Sequence, residues 1–146
     1  MKSFTLEGFA KELNSIRAKV PINLTIAARV IGETVEAKAK AEIGEYQRGD
    51  MGGFAPWAEL TDGTKKDRVR KGYTENDPGL RSGGMRDSIE HNVSAMSVAI
   101  GSNDDKLLWF EDGTSKQPPR AVVKLAAHRS TEELRAIAKL AIERIF

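Results

Sequence analysis

The sequence predicts an α+β fold: N-terminal helices, a small antiparallel β-sheet, a long loop, and a C-terminal helix packed on the sheet. Three observations predict it. Apolar residues recur every three or four positions at both ends of the chain. Between 87 and 101 they alternate with polar residues instead. Between the N-terminal pattern and that alternation, residues 44–84 are dominated by glycine, proline and charge. At 146 residues the chain fits a single domain, 1–146, able to bury a core without staples.

The first helix is expected over 4–19. Leu6, Phe9, Leu13, Ile16 and Val20 form its apolar stripe, with Lys11, Glu12 and Arg17 between them. Thr5 is its candidate cap, Gly8 weakens its first turn, and Pro21 ends or kinks it. A second helix follows over 22–42, with Leu24, Ala27, Ala28, Ile31, Val35 and Ala39 inward and Gly44 as its stop. Gly32 lies inside it at a cost of ~1 kcal/mol against Ala. It marks either a close approach of another element or a tolerated defect, and close packing is the preferred reading.

Residues 44–84 read as a long mobile loop with Trp57 and Leu60 as its anchors and a short helix near 64–71. In 87–101, Ile89, His91 and Val93 alternate with Ser88, Glu90 and Asn92, then Ser94-Ala95 turns the chain into Ser97–Ile100. That is an antiparallel hairpin. Leu107-Leu108-Trp109-Phe110 is too short for periodicity to separate helix from strand. Asp112-Gly113 marks a turn, and Pro118-Pro119 an extended exit. Ala121–Leu125 is either a last strand or the start of a helix. Ser130-Thr131-Glu132-Glu133 reads as a capping box before a final helix that buries Leu134, Ile137, Ala138, Ala141, Ile142 and Ile145.

Composition excludes several classes of function. The chain has no cysteine, hence no disulfide and no thiolate nucleophile or metal ligand. No apolar run approaches the ~18 residues a bilayer span needs, so no membrane partner is expected. Met1-Lys2-Ser3-Phe4 has no secretion signal. His91 and His128 are the only histidines, and neither stands in a metal-binding spacing. His91 reads as a half-buried strand residue and His128 as surface. Asp104, Asp105, Glu111 and Asp112 read as a solvated turn rather than a cation loop. Ser88 near His91 lacks a triad-like acid, and no phosphate-cradling glycine loop exists. No catalytic, cofactor-binding or metal residue is assigned, and the chain is not expected to be an enzyme.

One charged segment stands out. Lys65, Lys66, Arg68, Arg70 and Lys71 surround a single acid, Asp67, for a local charge of +4 in a chain whose net charge is +2. Such a run is either a solvated face or a patch for phosphates or an acidic partner.

Short motifs in a fixed order complete the reading. Met85-Arg86-Asp87-Ser88-Ile89 leads into the hairpin, and Val98-Ala99-Ile100-Gly101-Ser102 is its second strand. Trp109-Phe110-Glu111-Asp112-Gly113-Thr114 follows, then Pro118-Pro119-Arg120. In this order the chain resembles the head–tail joining, neck or tail-completion proteins of long-tailed bacteriophages. The match runs over about 84–127, with looser agreement in the N-terminal helices and at Ala55–Leu60. Ala121-Val122-Val123 follows Arg120 where that family usually has an aromatic residue.

The resemblance implies a structural virion protein, a connector acting as a ring of copies of itself, commonly six. Its partners would be the portal-bound adaptor and the tail-tube or tail-terminator proteins, beside exiting genomic DNA. It would reside in the virion neck, and in the bacterial host cytoplasm during assembly. The basic segment would then face DNA or a partner. The motif residues are expected to be structural or interface positions: Trp109 and Phe110 anchoring the sheet to the helices by buried area, Gly113 and Thr114 forming the turn, and Arg120 pairing with Glu111 or a neighbouring subunit. The alternative is a small nucleic-acid-binding module using 65–71.

Overall fold

The computed structural model describes residues 5–146 and is α+β, with six helices and one two-stranded antiparallel sheet among them. Phe4, the expected first residue of the first helix, and the Met1–Phe4 reading lie outside the described residues. None of the described helices is long and apolar enough to cross a membrane.

The two expected N-terminal helices are one. Helix α1 runs unbroken from Leu6 to Glu42, 37 residues, through Pro21. Proline removes the amide that would bond the Arg17 carbonyl. Arg17 and Pro21 are both exposed, so water can serve that carbonyl. One turn on, the Asn23 side-chain amide donates to the Lys19 carbonyl at 3.0 Å. Thr5 caps the start, its hydroxyl accepting from the Gly8 amide at 3.1 Å. Gly44 ends the helix with φ +106° and donates its amide to the Pro78 carbonyl at 2.9 Å.

Helix α2 (Asp62–Arg70) follows, capped by Thr61, and then the single turn α3 (Gly84–Asp87). Strands β1 (Ile89–Ser94) and β2 (Ser97–Ser102) pair with Ile89 opposite Ser102 and Val93 opposite Val98. The turn between them is Ala95-Met96. The apolar run 107–110 is helical, within α4 (Asp105–Asp112), because Asp104 caps it and Leu107, Phe110 and Glu111 share one buried face. The 121–125 segment opens helix α5 (Val123–Arg129), and α6 (Thr131–Glu143) follows directly.

The core joins the C-terminal half of α1 (Val35, Ala39, Ile43) to Met51, Trp57, Met85, Ile89, Leu107, Phe110, Val122, Leu125 and Ala126. Trp57 is its centre, buried edge-on against Phe110 at 5.2 Å and donating its indole N–H to the Ala121 carbonyl at 3.0 Å. The segment 44–84, expected to be a long mobile loop, is thus folded onto the body. It contains α2 and buries Met51, Trp57, Arg68 and Pro78.

Both the hairpin and α6 pack on α1. Thr25 donates its hydroxyl to the Ala95 carbonyl at 2.9 Å, and the His91 ring lies against Gly32. The expected C-terminal helix therefore lies along α1, with Lys38 paired to Glu133 near one end and Lys19 donating to the Ile145 carbonyl near the other.

Two expectations for α6 fail. Ser130 has helical backbone (φ −92°, ψ −2°) and donates its hydroxyl back to the Ala126 carbonyl, so no capping box forms. The chain stays near-helical from α5 into α6, and Glu133 turns outward to Lys38. Ile142 is half exposed, whereas Ala141 and Ile145 are buried. The inward stripe is narrower than the apolar composition of α6 suggests because one neighbouring helix covers one side only.

Candidate assembly interface

The motif residues are tied to one another and to the body by packing and hydrogen bonds. Ile89 is fully buried, and Ser88 bonds both the Met85 carbonyl and the Ser102 hydroxyl. Arg86 and Asp87 pair with each other on the exposed end of α3, which lowers the Asp87 pKa. Gly101 lies in β2 with open space on its side-chain face. Gly113 takes φ +75°, and a Cβ there would meet the Pro119 nitrogen at 2.7 Å. Thr114 closes the turn: its amide donates to the Gln117 carbonyl, and its hydroxyl accepts from the Lys116 amide. Pro118 then leads the chain back toward Phe110, whose carbonyl accepts the Arg120 amide at 2.8 Å.

Arg120 and Glu111 do not pair. Arg120 is buried, with its guanidinium 5.4 Å from the centre of the Phe110 ring and both Nε and Nη2 donating to the Ala58 carbonyl. Burial lowers its pKa below the usual arginine value. Glu111 instead accepts the amides of Val122, Val123 and Lys124 at 2.8–3.0 Å, the first turn of α5. Three amides converging on one carboxylate are charge-assisted hydrogen bonds that satisfy it without a guanidinium. Both residues are therefore tied within the subunit.

The expected aromatic anchor is divided. Phe110 is buried, but Trp109 is 51% exposed and Leu108 is 58% exposed. Trp109 stands between two clefts. One, of about 500 Å³, is lined by Tyr73, Arg81, Met85 and Lys106. The other, of about 400 Å³, is lined by Leu60, Thr61, Lys116 and Pro118. A large aromatic ring held half in water between two recesses is the side chain that interfaces most often use as an anchor.

The basic segment does not form a continuous cationic face. Arg68 is buried, donating Nε to the Thr74 carbonyl and Nη1 to the Asp77 carbonyl, both at 2.8 Å. Arg70 and Lys71 both pair with Asp67, as does Arg81, and the first two lower the Asp67 pKa. Lys65 reaches Glu59 at 3.7 Å. Lys66 is the exposed member with no salt bridge among the described residues. The helical register of α2 separates what the linear run placed together, because 68 points inward while 66 and 70 point out.

Both histidines, and Asp104, Glu111 and Asp112, also have partners within the subunit. His91 Nδ1 lies 2.5 Å from Glu36 Oε2, and Lys40 donates to the other oxygen at 2.5 Å. His128 lies over Gly52 and 3.3 Å from Asp50. Asp104 caps α4, Glu111 caps α5 and Asp112 pairs with Lys124. No group of three His, Asp or Glu side chains able to hold a metal occurs among the described residues.

One uncovered apolar face is the one the sequence assigns to the core. Leu6 is 87% exposed, and Phe9 and Leu13 are each 49% exposed. No residue from Thr5 to Asn14 is buried. The apolar stripe is a real helix face, but Leu6, Phe9 and Leu13 are uncovered by the described residues and only Ile16 and Val20 are partly covered, because the body begins further along α1. Phe146 and Leu140 add exposed apolar surface on the C-terminal segment. No family model, curated protein or solved structure matches the chain.

Proposed function

We propose that this chain is a structural protein of a bacteriophage particle, a neck or tail-completion component that joins head to tail as a ring of identical subunits. The observation that carries the reading is the uncovered stripe Leu6, Phe9, Leu13 on a helix firmly rooted in the body. Contiguous exposed apolar surface of this kind costs solubility and is retained for contact with another protein. Trp109 between its clefts is a second such surface. The motif order that resembles the head–tail joining family supplies the particle and the place. The internal ties of Glu111, Gly113 and Arg120 support a rigid block that presents surfaces, in keeping with a part that acts by fit.

In a closed ring each subunit offers two different faces to its neighbours. The Trp109 face lies on a different element from the α1 stripe and is available for such a contact. The portal-bound adaptor and the tail tube or tail terminator would take the ring's two ends. The nucleic-acid reading has less support, because Arg68 is buried and Arg70 and Lys71 share Asp67.

Deleting the gene from the phage genome that carries it tests the proposal. The expected result is filled heads and separate tails, rejoined when the chain is supplied in trans. Normal tailed, infectious particles from the deletion would refute it.

A further inference from the structure

We propose that the N-terminal part of α1 pairs with the same segment of a second copy of this chain as an antiparallel two-helix coiled coil. The inference deepens the assembly reading and rests on it for the choice of partner. Leu6, Phe9, Leu13, Ile16 and Val20 are spaced three, four, three and four residues apart, the a and d positions of consecutive heptads. The first three are the exposed residues of the stripe, and Ile16 and Val20 are only partly covered.

The body of the subunit decides the orientation. Beyond Val20 the same side of α1 continues as Leu24, Ala27, Ala28, Ile31 and Val35, which the subunit itself covers. A parallel partner helix would run into that body after its first turns. An antiparallel partner stops short of it and leaves the two bodies at opposite ends. In the antiparallel register Leu13 stands opposite Ile16 of the second copy, and Phe9 opposite Val20.

Charge agrees with this pairing. The g positions flanking the seam are Glu12 and Lys19, which face each other across an antiparallel pair and have opposite sign. Phe146 is 81% exposed beside Ile145, whose carbonyl accepts from Lys19, so further apolar surface stands at the end of the seam where the second copy's Leu6 arrives. A free helix of ~15 residues would be marginal in water. Here it is already ordered as the extension of a packed helix, which removes most of the ordering cost of binding.

The chain contains no cysteine, so single cysteines report the pairing cleanly. Phe9→Cys and Val20→Cys variants, mixed and oxidised, should give a disulfide-linked heterodimer. Each variant alone should not cross-link, since in this register the two copies of residue 9 lie about 16 Å apart along the seam. Sedimentation equilibrium of the full chain should show a dimer whose dissociation constant rises roughly tenfold or more in Leu13→Glu, with an unchanged circular dichroism spectrum. Glu12→Lys should weaken the dimer, and adding Lys19→Glu should restore it. A chain that remains monomeric at every concentration, or associates equally well as Leu13→Glu, overturns the pairing. Cross-linking of Phe9→Cys with itself overturns its orientation. If pairing fails while the chain is still found in finished particles, the inference falls and the assembly reading stands.

Discussion

The Glu111 carboxylate accepts the Val122 amide at 2.8 Å, and through it the end of α4 caps the start of α5. Val122 has no side-chain acceptor of its own, so this cap comes from eleven residues away. Glu111→Ala would leave three amides without their acceptor and should lower stability by about 3 kcal/mol. Glu111→Gln retains one carbonyl oxygen and should lose less. Urea denaturation of the two variants checks both the loss and its order.

Arg129 ties three segments together. One of its nitrogens, Nη1, donates to both Glu42 oxygens, at 3.1 and 2.9 Å, while its Nη2 and Nε donate to the Arg48 and Asp50 carbonyls. Burial raises the Glu42 pKa, and Arg129 partly offsets this. Arg129→Met would strand a buried carboxylate and should cost about 3–5 kcal/mol. Adding Glu42→Gln should recover part of that loss, and a double-mutant cycle by chemical denaturation measures it.

Gly32 shows where helix propensity misleads. Replacing a helical glycine by alanine ordinarily stabilises by ~1 kcal/mol. Here the new Cβ would meet the His91 ring at 2.5 Å and the Val98 side chain at 2.9 Å. Gly32→Ala should therefore destabilise by roughly 1–3 kcal/mol as the hairpin is pushed off α1. A raised melting temperature would contradict that docking.

The opposite change is expected in the hairpin turn. Ala95 has φ +52°, a left-handed conformation that an L side chain resists. Ala95→Gly should stabilise by about 0.5–1 kcal/mol, after the extra entropy of glycine in the unfolded chain is set against the relieved strain. Thermal denaturation resolves a gain of that size.

Acid should loosen the contact between hairpin and helix. The Glu36 pKa lies below its ordinary value, chiefly through the Lys40 hydrogen bond and then through His91. A depressed carboxylate stabilises the native state above its unfolded pKa, and that stability is lost as pH falls through the folded value. The Glu36 contribution should thus be complete near neutrality and decline below its ordinary 4.5. In Glu36→Gln the stability difference from the parent should be largest near pH 7 and shrink toward pH 3. A difference independent of pH contradicts the ion pair.

Local chemistry was legible in the sequence wherever it acts over a few residues. The hairpin, the Thr5 cap, the Gly44 stop and the Gly113 turn all follow from residues adjacent to the feature, though the hairpin turn is Ala95-Met96, one residue beyond the expected Ser94-Ala95. Long-range partners were not. The 4–19 periodicity correctly gives a helix face, but periodicity does not say whether anything in the same subunit covers it. Pro21 reads as a break, yet it lies where the helix is exposed and a lost hydrogen bond is cheap. Ser130 and Glu133 match a capping pattern that the run-on from α5 leaves without work. Arg120 reads as a presented charge because its burial depends on Ala58, sixty-two residues earlier. The half-exposed Trp109 carried one signal: in a helix that buries 107, 110 and 111, position 109 points outward.

The most direct measurement of the central claim is where the chain resides in finished particles. Gradient-purified virions, examined by quantitative mass spectrometry and by gold labelling in the electron microscope, should carry a small fixed number of copies at the joint of head and tail. Particles that lack the chain, or carry it scattered over the capsid, would contradict the account.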